Sequence, residues 1–196
     1  MRKALFILMA LLILGCKNPF ATRSAEPPSV RRGTWEDPSF YDAVLRNLES
    51  SYNEQIIDNF TDCLKEDFHF FPDPEDDAQY PGIFDDWGRE EEIDVTRSIF
   101  SSGTSAAFID LALADSTMEV NFYPSGDTVT AEVIYDLTVD QDKISAPQHM
   151  AGRAIFFIFE GTGGIWKVFR WEDSKVDFPD SSSWGELKAI FASGKR

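Results

Sequence analysis

Residues 153–173 read RAIFFIFEGTGGIWKVFRWED, and the fold is decided on this stretch. Two runs rich in Phe, Ile, Val and Trp flank Gly161-Thr162-Gly163-Gly164, the composition of two strands joined by a tight glycine turn. The first run is apolar at both parities, with Ala154, Phe156 and Ile158 against Ile155, Phe157 and Phe159. That pattern predicts a central hairpin covered on both faces. It also predicts that truncating Phe157 costs more than truncating Trp184, which is expected on a terminal helix with one face in water.

Outward from this hairpin the chain divides into strands and helices. Val129, Ala131, Val133, Tyr135, Leu137 and Val139 alternate with polar residues, and Met118, Val120 and Phe122 do the same on a shorter scale. Residues 108–113 form a further strand. Ser181 to Ser183 can cap a short helix in which Trp184, Leu187 and Phe191 fold back onto the sheet. On the N-terminal side, Asp37-Pro38 reads as a helix start, followed by Tyr41, Val44, Leu45, Leu48 and Tyr52 at helical spacing. Asn53 can cap a second helix carrying Ile56, Ile57, Phe60, Cys63 and Leu64. Cys63, within that apolar stripe and with no histidine at helical spacing, is expected to be buried and inert. A helix over residues 89–100 stops near Gly103.

The run YNEQIIDNFTDCLKEDFHFF, residues 52–71, resembles the opening of the nuclear transport factor 2-like superfamily. GIWKVFRWED, residues 164–173, is similar to its last strand. The resemblance covers about residues 38–173 and implies an α+β fold, a curved antiparallel sheet wrapped around N-terminal helices. This cone-shaped, cystatin-like roll leaves a conical cavity. It supports fold rather than activity.

The chain of 196 residues carries 18 Lys and Arg against 34 Asp and Glu. Such an acidic surface repels phosphate backbones, so no nucleic-acid partner is expected. Arg2 and Lys3 precede an apolar run over residues 4–14 that is too short to span a bilayer, the layout of a secretory leader. Ile13-Leu14-Gly15-Cys16 resembles the bacterial lipobox. The resemblance implies cleavage after residue 15, acylation of Cys16 and attachment to a membrane of the cell envelope. Lys17, in place of the aspartate that retains such proteins at the inner membrane, favours the outer one where there are two. Residues 16–34, rich in Pro, Ser, Thr and Arg, read as a flexible tether, and residues 35–196 as one domain.

Motifs for chemistry are few. His69 and His149 are about 80 residues apart in sequence, so a zinc site is not expected. The acidic run of residues 72–92 lacks the alternation of a calcium loop and reads as a solvated loop at the cavity rim. There is no G-x-S-x-G and no phosphate-cradling glycine loop, so no metal and no cofactor are expected. Asp110 and Asp136 lie on strands, and the parity of Asp136 places it in solvent. Arg170, read on one strand face with Trp166 and Val168, pairs with Glu172 or projects into a pocket, pairing being favoured. Tyr135, Phe157, Trp166, Arg170 and Trp171 are the candidate pocket residues. These features point to a non-catalytic, lipid-anchored envelope module offering a cavity or sheet face to a small apolar ligand or an envelope protein. A proton-transfer enzyme of isomerase or dehydratase type, with a cavity Asp as base, is the rival, and a homodimer through the open sheet face is a third reading.

Overall fold

A computed structural model of the chain describes residues 33–103, 108–114, 119–176 and 182–194. The leader, Cys16, Met118 and Ser181 lie outside the described residues. The elements in order are α1 (Tyr41–Asn53), α2 (Ile57–Cys63), β1 (Leu64–Phe71), α3 (Pro74–Gln79) and α4 (Arg89–Phe100). They are followed by β2 (Ile109–Leu113), β3 (Glu119–Phe122), β4 (Thr128–Val139), β5 (His149–Glu160), β6 (Trp166–Lys175) and α5 (Trp184–Ser193).

The strands form one curved, unclosed sheet in the order β1-β6-β5-β4-β2, with β3 also paired to β4. The hairpin of residues 153–173 is therefore central, its turn closed by Gly161 N–H donating to Ile165 O at 2.8 Å. Strands β2 to β6 pair antiparallel, and β1 joins β6 in parallel at the margin. Period-two alternation in β4 buries Val129, Ala131, Val133, Tyr135, Leu137 and Val139 on the inner face, beneath the helices.

Coverage on both faces is overturned. Ala154, Phe156 and Ile158 are fully buried, whereas Ile155, Phe157 and Phe159 are half-buried, because the helices pack on the inner face alone. The cost ranking is overturned with it: Trp184 is fully buried, its ring 4.4 Å from Trp171 and 5.0 Å from both Tyr52 and Tyr135. The terminal helix lies across the inner face, so no side of this tryptophan meets water.

A register shift changes the reading of Arg170. Phe157 stands opposite Arg170 but Ile158 stands opposite Val168, so Phe169 is an extra residue on β6. The bulge reverses the parity beyond it. Trp166 and Val168 point inward, Arg170 and Glu172 outward, and Trp171 and Asp173 inward again.

Three local expectations are also corrected. Asp37-Pro38 does not start a helix; Pro38 O accepts from Trp166 N at 2.8 Å, and the chain stays outside α1 until Phe40. Asn53 closes α1 instead of opening α2. Its amide donates to Leu111 O at 3.0 Å and accepts from Leu111 N at 2.6 Å, covering the free edge of β2. The acidic run is not wholly a solvated loop: Asp73 caps α3 by accepting from Glu75 N at 2.9 Å, and Asp76 is fully buried. Cys63 is buried as expected, its thiol donating to Asn59 O at 3.3 Å.

Candidate functional site

Polar groups gather where the first turn of α5 meets the sheet. A helix start leaves its first amides without intrahelical acceptors, and here three of them find side chains. Trp184 N donates to Tyr135 Oη at 2.9 Å, Gly185 N to Asp173 Oδ2 at 2.8 Å, and Glu186 N to Ser183 Oγ at 3.0 Å. Ser183 in turn donates to Asp76 Oδ2, and Lys175 Nζ lies 2.8 Å from Asp76 Oδ1. Four elements, α3, β4, β6 and α5, thus meet at one point.

Two glycines make room for this meeting. A Cβ on Gly185 would fall 2.9 Å from Asp76 Oδ2 and 3.4 Å from Asp173 Oδ2. A Cβ on Gly152 would overlap the Tyr135 hydroxyl. Both carboxylates are buried, and burial pushes the Asp173 carboxyl up to about 6, with Asp76 adding to the rise. Donation from Gly185 N–H and Tyr135, and the charge of Lys188, oppose that shift.

One turn along α5 stands a second buried group. Lys188 Nζ lies 2.9 Å from Glu92 Oε1 and 3.5 Å from the ring centroids of both Phe70 and Trp171. Glu92 Oε2 accepts from Trp87 Nε1 at 2.8 Å. Burial pulls the Lys188 ammonium down to about 8 in spite of Glu92.

The candidate residues separate into three places. Tyr135 and Trp171 come together around Trp184, inside the sheet. Trp166 is buried at the far end of β6, its ring 6.3 Å from Tyr41. Phe157 and Arg170 are cross-strand neighbours on the outer face, where the guanidinium lies 4.3 Å from the Phe71 centroid and 5.2 Å from that of Phe157. Arg170 also pairs with Glu172, the favoured reading. Asp136 is exposed, as its parity implied, and lies 3.1 Å from His149 Nε2; Asp110 is exposed too. Among the described residues, no group of three His, Cys, Asp or Glu side chains is placed to hold a metal ion.

Sequence reasoning passed over Asp76, Asp173, Glu92 and Lys188. Lys188 carried a signal, since it stands four residues after Trp184 and so on the apolar stripe of α5.

No family profile and no curated protein matches the chain. Solved structures do. A conserved protein from Planctomyces limnophilus superposes with a TM-score of 0.53 at 14% identity, covering 69% of this chain and 93% of that one. A nuclear transport factor 2-like protein from Cytophaga hutchinsonii gives 0.52 at 14% identity, covering 69% and 95%. A scytalone dehydratase-like protein from Novosphingobium aromaticivorans gives 0.53 at 11% identity, covering 73% and 88%. Likeness at such identities is a likeness of fold, and the chain has the cystatin-like, nuclear transport factor 2-like fold.

Proposed function

We propose that the protein is a lipid-anchored binding module of the bacterial cell envelope, held through acylated Cys16, which presents the outer face of its sheet to an envelope protein. The outer face carries this reading. Ile134, Ile155, Phe157 and Phe169 are half-buried at its centre, and Arg170 lies between Phe71 and Phe157. Aromatic residues and arginine are the side chains on which binding energy at protein interfaces concentrates. Around them, Arg153–Glu132 and Arg170–Glu172 are matched pairs, so the centre of this face is locally charge-balanced on an acidic chain. A partner meets little net repulsion there.

The inner face supports the non-catalytic side of the reading. Asp173 and Tyr135 cap α5, and Trp184, Leu187 and Lys188 fill the space before them. The proton-transfer alternative draws on the scytalone dehydratase-like fold neighbour and on Asp173 as a buried carboxylate. It requires a substrate to reach that carboxylate past α5.

The test is site-specific photo-cross-linking in native membranes, with the probe at position 155 or 134 on the outer face and at Asp58, exposed on α2 on the helix side of the sheet, as a control. One common protein captured from 155 and 134, absent from 58 and lost on Arg170→Ala, supports the module. Equal capture from all three positions, or none, counts against it. Metabolic labelling with a fatty-acid analogue tests the anchor: Cys16→Ser should lose label and leave the membrane fraction.

A further inference from the structure

Between α5 and the body of the domain the fold encloses more carboxylate than it needs. Asp76 on α3, Glu92 on α4 and Asp173 on β6 are all buried. Glu92 is matched by Lys188, and Asp76 by Lys175, which is half-exposed. Among the described residues Asp173 has no ion pair, and its Oδ2 lies with Asp76 Oδ2 within 3.4 Å of a single point, the Cβ position of Gly185. Buried, without a cation of its own and with a second buried carboxylate at the same helix turn, Asp173 is favoured in its protonated form.

The chain before the helix is pinned. Ala151 N donates to Ser182 O at 3.0 Å, and Ser182 bridges to Met150, so the start of α5 stays at β5 whatever the helix does. Beyond Ser183 the helix is held by its capped first turn, the Lys188–Glu92 pair and aromatic packing. Below about pH 7, where the Lys188 ammonium stays charged, the capped turn is the part that responds to protons.

We propose that α5 is a proton-gated plug: its first turn seats on Asp173, beside the buried Asp76, while Asp173 holds a proton, and the helix loosens from the inner face once Asp173 is ionised. Lifting α5 lets water reach Asp173, which restores its ordinary acidity. The seated state therefore binds a proton that the lifted state releases. The rise of the Asp173 carboxyl to about 6 agrees in direction. Seating is tightest below about pH 4, the usual carboxylate range, and weakens as pH rises through 6. The titratable and charged groups acting on Asp173 are Asp76 from α3, Tyr135 from β4 and Lys188 from α5; one step out, Glu92 from α4 faces Lys188, Lys175 on the same strand faces Asp76, Glu186 from α5 faces Lys175, Tyr52 from α1 faces Glu92, and Tyr80 after α3 faces Asp76. Of these, Asp173 has its charge change shifted into the mild-acid range.

The plug lies on the inner face and acts independently of partner binding outside. Hydrogen exchange of the full chain from pH 4 to 7.5, corrected for the intrinsic rate, tests it. For residues 184–191 the opening equilibrium should rise by up to about 100-fold between pH 4 and 6 and then level off, while β4 and β5 stay protected. Asp173→Asn should flatten the profile. Tyr135→Phe removes a donor to the ionised carboxylate and should move the rise to higher pH, which keeps a test available where the asparagine variant does not fold. A flat wild-type profile, exchange of α5 only together with β5, or an Asp173→Asn profile like the wild type would each overturn the plug.

Discussion

Lys188 and Glu92 form an ion pair at 2.9 Å with both side chains fully buried, joining the last helix to α4 across the inside of the domain. Dehydrating two charges costs about as much as their attraction returns, so the pair adds little net stability, whereas breaking it strands a charge. Lys188→Met should cost about 3–5 kcal/mol by leaving Glu92 buried and unmatched. Adding Glu92→Gln, which keeps an acceptor for Trp87 Nε1, should recover most of that loss. Urea titrations of the two single variants and the double variant measure the coupling, and additive losses would mean the pair is not coupled.

The pair also sets an alkaline pH dependence. The folded ammonium titrates near 8 against an ordinary value of 10.5, so its folded pKa is depressed. Its contribution to stability is present above 10.5 and is lost as pH falls through 8. Wild-type stability should therefore gain up to about 3 kcal/mol from this group on going from pH 7 towards 10.5. Comparing wild type with Lys188→Met at pH 7 and pH 9.5 isolates the effect from tyrosine ionisation, because the gain should be missing from the variant.

Trp184 and Phe157 exchange the ranks that the sequence suggested. Trp184→Ala removes a fully buried indole touching Tyr52, Tyr135 and Trp171, and should cost about 3–5 kcal/mol. Phe157→Ala, on a half-buried outer face, should cost about 1–2 kcal/mol. Denaturant midpoints decide it, and a larger shift for Phe157 would put the outer face at the centre of the core.

The reason for that exchange lies in what a linear pattern can carry. The alternation in β4 was legible because one face of that strand is buried and the other is not, which is a property of the strand itself. The doubled apolar pattern of β5 was ambiguous, since it fits both a buried strand and one whose outer face is half-covered by its own aromatics and Arg170. The bulge at Phe169 was hidden because a bulge belongs to a pair of strands; without it, Arg170 falls on the wrong face and Asp173 is not seen to point inward. Asp76 was lost among its acidic neighbours, since only tertiary packing distinguishes the buried carboxylate from the hydrated ones. The outer-face pair Phe157 and Arg170 and the inner pair Tyr135 and Trp171 were all singled out, but their division between two faces follows from register.

Thiol chemistry gives a check on α2. The thiol of Cys63 is buried and donates to Asn59 O, and the chain has two cysteines in all. In the Cys16→Ser variant a disulfide reagent should therefore find one thiol, reacting slowly in buffer and at once in denaturant. Fast reaction of the native protein would mean that α2 opens far more readily than its packing implies.

The two glycines at the polar junction should behave unlike ordinary glycines. In a helix, Gly→Ala normally gains up to about 1 kcal/mol because alanine loses less backbone freedom. At Gly185 the new Cβ meets Asp76 Oδ2 at 2.9 Å and Asp173 Oδ2 at 3.4 Å, so the carboxylates must part and the Gly185 N–H bond to Asp173 must lengthen. Gly185→Ala should thus be neutral or destabilising. Gly152→Ala is the harsher change, because its Cβ meets the Tyr135 ring carbon at 2.6 Å and the backbone oxygen of Ser174 at 2.8 Å, and that oxygen sits in the β5–β6 ladder. Expelling the tyrosine hydroxyl also leaves Trp184 N without its acceptor, which by itself costs about 1–3 kcal/mol for a buried donor. Gly152→Ala should therefore lower the urea midpoint more than Gly185→Ala. Pairing each change with Tyr135→Phe separates the causes: loss of the hydroxyl relieves part of the clash at position 152, where the ring carbon and Ser174 O still crowd the new Cβ, and leaves the clash at 185 untouched. Relief at both positions, or at neither, would show that the tyrosine hydroxyl does not occupy the gap that Gly152 leaves.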